Sequence, residues 1–192
     1  MRSHRAVTVC LGESLTEVGS LRFTADAGRQ HSMFTYLETW LHDPRAFALS
    51  PDLPLGMIPA YASSQGRDDT RASLPAAFQD TAPDAWGRLL LERVHGAGLT
   101  EFEMLTLTDD ATRQGALRFV DETGTVLSST GRPIPNVVDV AELQSIARRV
   151  EARDEMSNDD LRQIAGAGGS LGGSRPKATV EDEDGLWIAK FS

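Results

Sequence analysis

Three strand-like runs lie within the first 37 residues, separated by tight-turn residues, and this spacing limits the front of the chain to antiparallel pairing. Residues 6–11 (AVTVCL) are apolar and β-branched. Residues 17–23 (EVGSLRF) alternate with period two, Val18 apart, and residues 33–37 (MFTYL) supply a third run. Gly12-Glu13 and Asp26-Ala27-Gly28 carry turn chemistry between them. An antiparallel meander is the expected result.

Beyond the meander the pattern changes to loops and short helices. Residues 47–59 (FALSPDLPLGMIP) contain Pro51, Pro54 and Pro59 and should run extended and irregular. Residues 63–72 are polar and read as a surface loop. Ala76, Ala77 and Phe78 begin a helical pattern, and Pro83-Asp84 opens a stronger one. There Trp86, Leu89, Leu90, Arg93 and Val94 recur at helical spacing, and Gly96 and Gly98 end it. Thr100 is an expected N-cap with Glu103 as its capping-box partner, ahead of a short helix over 102–107. Residues 115–121 (GALRFVD) read as a strand running into a turn. The proline-containing stretch 130–136 reads as a linker, followed by amphipathic helices over 140–150, opened by Asp139, and over 157–164. The expected fold class is therefore α+β, with a β-rich N-terminal subdomain carrying short helices over 1–132 and a second unit over 133–192.

Composition excludes several classes of function. Of 192 residues, 40% are apolar and 24% charged, enough for a sizeable core and without bias towards disorder. The net charge of −9, from 28 acidic and 19 basic side chains, gives no general attraction to phosphate backbones, so no direct nucleic-acid partner is expected. The lone cysteine, Cys10, sits in a strand-like run and reads as a small buried hydrophobe. His4, His31, His42 and His95 have no metal-ligand spacing, and no metal site is expected. No run approaches a membrane span, and the N-terminus lacks a cleavage pattern, which predicts a cytoplasmic protein without a membrane partner.

The segment with evident chemical use is the glycine-dense stretch 165–173 (AGAGGSLGG). Glycines let backbone N–H groups approach phosphate oxygens at φ values other residues resist. A Walker A loop would end in Gly-Lys-Ser/Thr, whereas Gly172-Gly173 leads to Ser174-Arg175-Pro176. A dinucleotide-binding turn needs a helix directly after the glycines, and Pro176 followed by a β-like KATV opposes one. A kinase-type loop fits better: a strand over 177–180, an acidic turn over 181–185, then a strand over 186–191 holding Ile188-Ala189-Lys190. Two plainer readings remain beside it, a flexible linker for the glycines and an edge-strand charge for Lys190. The acidic pairs Asp109-Asp110 and Asp159-Asp160 read as solvated.

The stretch 168–180 (GGSLGGSRPKATV) followed by 187–191 (WIAKF) resembles the start of the kinase core in HipA-family toxins. Phe34-Thr35-Tyr36, residues 47–55 (FALSPDLPL), 76–93 (AAFQDTAPDAWGRLLLER) and 114–119 (QGALRF) are similar to the family's N-terminal subdomain, in the same order. The wording of 83–88, Pro-Asp-x-Trp-Gly-Arg, looks like a subgroup variant. The resemblance implies the beginning of a protein-kinase-like N-lobe after the N-terminal subdomain. It also implies an atypical serine/threonine kinase of a toxin–antitoxin system linked to persistence, using ATP and magnesium to phosphorylate a protein such as an aminoacyl-tRNA synthetase. A HipB-like DNA-binding antitoxin is the implied partner. Carried over by position, Gly168, Gly169, Ser170, Leu171, Gly172 and Gly173 would form the ATP-binding loop, with Ser170 its autophosphorylated serine. Lys177 would be the loop lysine and Lys190 the lysine on the ATP phosphates. The family's catalytic aspartate, metal-binding asparagine and DFG-like aspartate would fall beyond Ser192. The expectation is thus an N-terminal fragment inactive by itself, with no catalytic residue in this chain. A non-catalytic module that binds a separate kinase core or antitoxin is the competing expectation.

Overall fold

The computed structural model describes residues 3–26, 28–64, 69–127, 134–168 and 175–191. In chain order the elements are β1 (Ser3–Leu11), β2 (Thr16–Asp26), β3 (Arg29–Tyr36), α1 (Glu38–Leu41), β4 (Ala60–Ser63), α2 (Ala76–Thr81), α3 (Ala85–His95) and α4 (Glu101–Leu107). They continue with β5 (Leu117–Val120), α5 (Val140–Ala152), α6 (Asn158–Ala167), β6 (Lys177–Asp182) and β7 (Gly185–Lys190). The chain is α+β, its N-terminal part rich in strands. Two compact units divide it. One comprises Met1–Thr81, Thr100–Leu105 and Gly115–Leu127, the other Ala82–Leu99, Thr106–Gln114 and Ser128–Ser192.

The first unit is built on the predicted meander. β1, β2 and β3 pair antiparallel, β4 adds outside β3 and β5 outside β1, giving the order β4-β3-β2-β1-β5. Val18 breaks the alternation for a physical reason. Val9 pairs with Gly19 and Cys10 with Glu17, so Val18 is the extra residue of a β-bulge. Both Val18 and Gly19 are buried. Gly19 has no room for a side chain, because a Cβ there would lie 2.4 Å from the Phe34 ring and 2.8 Å from the Thr35 carbonyl oxygen.

One face of this sheet buries Val7, Val9, Leu21, Phe23, Phe34 and Phe119. Phe34 meets Tyr36 edge-on at 4.8 Å between ring centroids and Phe78 of α2 at 5.3 Å. The proline-containing stretch 47–59 is mostly irregular, as expected, but it is tied down. The Tyr36 hydroxyl donates to the Leu53 carbonyl (2.7 Å) and accepts from the Leu49 N–H (2.8 Å), and Leu53 is buried. Within stretch 63–72, Ser63, Asp69 and Arg71 are exposed, as a surface loop predicts, but Ser64 is buried and the Gln30 N–H donates to its Oγ (2.9 Å), and Thr70–Ser73 forms a 3-10 turn. Thr100 and Glu103 form both bonds of the capping box. The Thr100 N–H donates to Glu103 Oε2 (2.8 Å) and the Glu103 N–H to Thr100 Oγ1 (3.2 Å).

The second unit packs α3, α5 and α6 against a two-stranded antiparallel ribbon, β6-β7. Trp86, Leu90, Leu143, Ile146, Val150, Ile164, Ala178, Val180 and Phe191 form its core. Ser157 caps α6, its Oγ accepting from the Asp160 N–H (3.1 Å). α6 does not stop at Ile164, as the glycine pattern predicts, but runs to Ala167. Alanine is the best helix former and fits where neighbours are close, so Ala165 and Ala167 continue the helix into the core. The ribbon's turn is held by Asp182, whose Oδ1 accepts from Trp187 Nε1 (2.8 Å), the Asp184 N–H (2.9 Å) and the Gly185 N–H (3.2 Å). These donors, Trp187 first, hold its carboxyl below the usual carboxylate range.

Candidate functional site

The residues with chemical potential in the second unit gather around the stems of the glycine-rich segment. Gly169, Ser170, Leu171, Gly172 and Gly173 lie outside the described residues. Gly168, Lys177 and Lys190 are described, and each has a defined environment.

Gly168 follows α6 and donates its N–H to the Ile164 carbonyl (2.7 Å). A Cβ there would sit 2.3 Å from Leu90 Cδ1 of α3 and 2.9 Å from the Ile164 carbonyl oxygen of its own helix, so a side chain at this position would force its neighbours to shift. At the other stem, Lys177 opens β6 and is buried, which is unusual for a lysine. Its ammonium reaches Asp84 Oδ2 at 3.0 Å. The second oxygen of Asp84 accepts the Gly87 N–H (2.8 Å) and caps α3. Trp86, in the first turn of α3, donates its Nε1–H to the Lys177 carbonyl (2.9 Å). The Pro-Asp-x-Trp-Gly wording thus gains a role that sequence spacing could not reveal, because Asp84 and Lys177 are 93 positions apart.

Lys190 is the direct antiparallel partner of Lys177 across the ribbon. Opposed residues in such a pair project from the same face, so two ammonium groups share one end of one face. Asp84 compensates Lys177. Lys190 is exposed and has no ion-pair partner among the described residues. Its rows of neighbours on that face are Thr179 opposite Ile188 and Glu181 opposite Leu186.

Thr179, Leu186, Trp187 and Ile188, with residues 111–114, line a recess of about 320 Å³. Leu186, Trp187 and Ile188 are each more than half exposed. Thr179 is buried, and its Oγ1 has no hydrogen-bond partner among the described residues. A buried hydroxyl without a partner costs on the order of 1–3 kcal/mol, so the recess offers a ligand both apolar surface and a polar group to satisfy. The wall at 111–114 is firm. Arg113 is buried, donating from Nη2 to the Thr108 carbonyl (2.8 Å) beside an ion pair to Asp110 at 3.5 Å.

Of the two acidic pairs read as solvated, one residue departs from that place. Asp109 is buried rather than solvated, its Oδ1 accepting the Ala111 N–H (3.0 Å). Asp160 pairs with Arg149 at 3.0 Å, while Asp159 is exposed as expected. Among the described residues no three or more His, Cys, Asp and Glu side chains come together as a metal site, and no helix is long and apolar enough to cross a membrane.

The first unit carries a recess of its own, about 710 Å³, on the open side of its sheet. His4, Arg22, Thr24, His31, Met33 and Tyr61 contribute to it. His4 Nδ1 and Thr24 Oγ1 lie 3.1 Å apart, and Tyr61 is 75% exposed.

Comparison with known proteins places a family model over much of the chain. The model described as the HipA N-terminal domain matches residues 7–120. It spans β1 to β5 and stops short of Gly168, Lys177 and Lys190. No curated protein matches the chain.

Proposed function

The chain belongs to the HipA family, whose N-terminal domain it carries over residues 7–120, and from that premise we propose that its second unit grips the phosphates of ATP for a serine/threonine kinase. The observation that carries this reading is the placement of Lys190. It stands opposite the residue at the stem of the glycine-rich segment, exposed and with no counter-charge among the described residues. Two ammonium groups at opposed positions repel, and one carboxylate compensates only one of them. A polyphosphate between Lys190 and backbone amides of residues 168–173 would supply the missing negative charge. The recess beside Thr179, whose hydroxyl has no partner among the described residues, would take the less polar part of the nucleotide.

In this reading ATP supplies the transferred phosphoryl group and magnesium screens its charge, and the residues of this chain bind and orient. Lys190 balances phosphate charge. Ser170 is the regulatory position, since a phosphate dianion attached there would compete with the nucleotide for the same amides and repel it. No catalytic base or magnesium ligand is assigned to residues of this chain. The acceptor is the hydroxyl of a protein such as an aminoacyl-tRNA synthetase, and a small DNA-binding antitoxin is the restraining partner.

The test is a titration of Mg-ATP into the chain, followed by its thermal transition. Saturable stabilisation is expected for the native sequence, and its loss for Lys190→Met. A chain that shows no ATP-dependent shift would sink the reading.

A second reading draws on the first unit. Its open sheet face presents Tyr61, Met33 and Arg22, residue types enriched at protein interfaces. On this reading the chain is a binding module for a separate kinase core or antitoxin. Complex formation without any response to ATP would favour it.

A further inference from the structure

We infer that the open face of the five-stranded sheet docks an extended segment of a partner protein, one that carries an apolar side chain followed by a carboxylate. This rests on the second reading above, in which the first unit is a binding module, and names the chemistry of what it binds.

Strand register lays two rows of side chains across this face. In one, Ala6 opposes Arg22, Arg22 opposes Met33 and Met33 opposes Tyr61. In the next, His4, Thr24, His31 and Ser63 oppose one another in the same order. Their chain neighbours Val7, Leu21, Phe23 and Phe34 are buried in the core, so both rows project to the other side of the sheet. Arg22 is exposed and makes no hydrogen bond or ion pair among the described residues. Its neighbours along β2 on this face, Ser20 and Thr24, carry no charge that could balance it. His4 and His31 flank Thr24, and His4 Nδ1 lies 3.1 Å from Thr24 Oγ1. Three side chains with N–H donors thus surround one uncharged position.

The face changes character from one edge to the other. At the β4 edge Tyr61 is 75% exposed beside Met33, and Met57 and Ile58, just ahead of β4, are 61% and 88% exposed. Exposed apolar side chains rimmed by polar ones mark contact surfaces, and Tyr and Arg carry much of the binding energy in them. At the β5 edge Asp121 and Glu122 line the recess together with Arg5. Asp121 turns its Oδ1 into its own loop, accepting the Thr123 N–H (2.8 Å) and the Thr125 N–H (3.0 Å).

That order selects the occupant. Strands lie about 4.8 Å apart, so Arg22 stands roughly 10 Å across the face from Tyr61, the reach of about three residues of extended chain. An apolar side chain resting on Met33 and Tyr61 therefore brings a carboxylate three residues on to the Arg22 guanidinium, whose planar fork binds it at two points. A nucleic-acid strand fits less well, because its successive phosphates would meet Asp121 and Glu122 on a chain of net charge −9.

The test is fluorescence anisotropy with the full chain and two labelled peptides. One carries leucine followed three residues later by two glutamates, and the other has glutamines in their place. The glutamate peptide should bind about tenfold more tightly, the gain of one charge-assisted pair, and added salt should narrow the difference. Arg22→Gln should abolish the preference, and Tyr61→Ser should weaken both peptides; circular dichroism checks that each variant folds. Equal affinity for the two peptides, or a preference that survives Arg22→Gln, would overturn the acidic segment and leave the binding-module reading in place. Tighter binding of a labelled single-stranded oligonucleotide, or self-association of the chain that Arg22→Gln removes, would overturn it in favour of those occupants. Binding of neither peptide would overturn it too, and the module reading would then be decided by complex formation with a whole protein partner.

Discussion

At the scale of single residues, burial decides what reactive groups can do. Cys10 is 1% exposed, and burial, with the nearby Glu17 charge second, pushes its thiol from an ordinary 9.0 up to about 11. The folded chain therefore holds the neutral thiol while the unfolded chain ionises first. A raised value contributes stability that is fully present below the unfolded value of about 9 and is lost as pH rises towards 11. The expected outcome is that urea unfolding midpoints of the native chain fall between pH 9 and 11 more steeply than those of Cys10→Ala. A second expectation from the same measurement is slow alkylation of the folded thiol at pH 8 and rapid alkylation in urea, because only the exposed thiolate reacts. The apolar run around Cys10 was enough to read its burial in the sequence. Lys177 was not legible in the same way. The family resemblance implied a place for it in the ATP-binding loop, and nothing in local sequence announces a carboxylate 93 positions earlier. Pairings of that kind belong to tertiary structure, where burial of a lysine demands a counter-charge.

Elements were legible where their signals are local. Capping chemistry, helical spacing and period-two alternation operate over a few residues, and β1 to β3, α3, α4 and α5 follow from them. Thr100 and Glu103 show how far this goes, since a four-residue pattern predicted both bonds of the box. Thr100→Ala should lower the stability of the chain by about 1 kcal/mol, the usual loss for an N-cap, as read from the urea midpoint at constant slope. Thr100→Ser, which keeps the hydroxyl, should lie within a few tenths of native, and an equal loss for both would show that packing rather than capping sets the effect. Elements were misread where local signal and tertiary context disagree. Glycine density put the end of α6 too early, yet the core takes Ala165 and Ala167 at a close helix approach and extends the helix to Ala167. The bulge at Val18 was visible only as a fault in the alternation. The glycine beside it, pressed against the Phe34 ring, could be read only with the neighbouring strand in place.

For the whole molecule, the two readings of function separate because they load different units. The chain's net charge of −9 argues against a general affinity for polyanions, so the nucleotide binding proposed above would need local compensation, for which Lys190 at the ribbon end is the candidate. A ligand that binds only the folded form stabilises it by about 2.7 kcal/mol at a hundredfold excess over its dissociation constant. That energy appears first in the structure that must be intact to hold the ligand. With Mg-ATP in excess, amides of α3, α6, β6 and β7 should therefore exchange more slowly, and by up to about a hundredfold where they open only when the unit opens. Amides of β1, β2 and β3 should keep their rates, because the open sheet face takes no part. Peptide-resolved hydrogen exchange, with and without nucleotide, distinguishes the cases. Protection confined to the second unit supports phosphate gripping at the ribbon. Protection in β1 to β3 on adding a protein partner, with no response to Mg-ATP anywhere, would shift the chain's role to the sheet face lined by Arg22, Met33 and Tyr61.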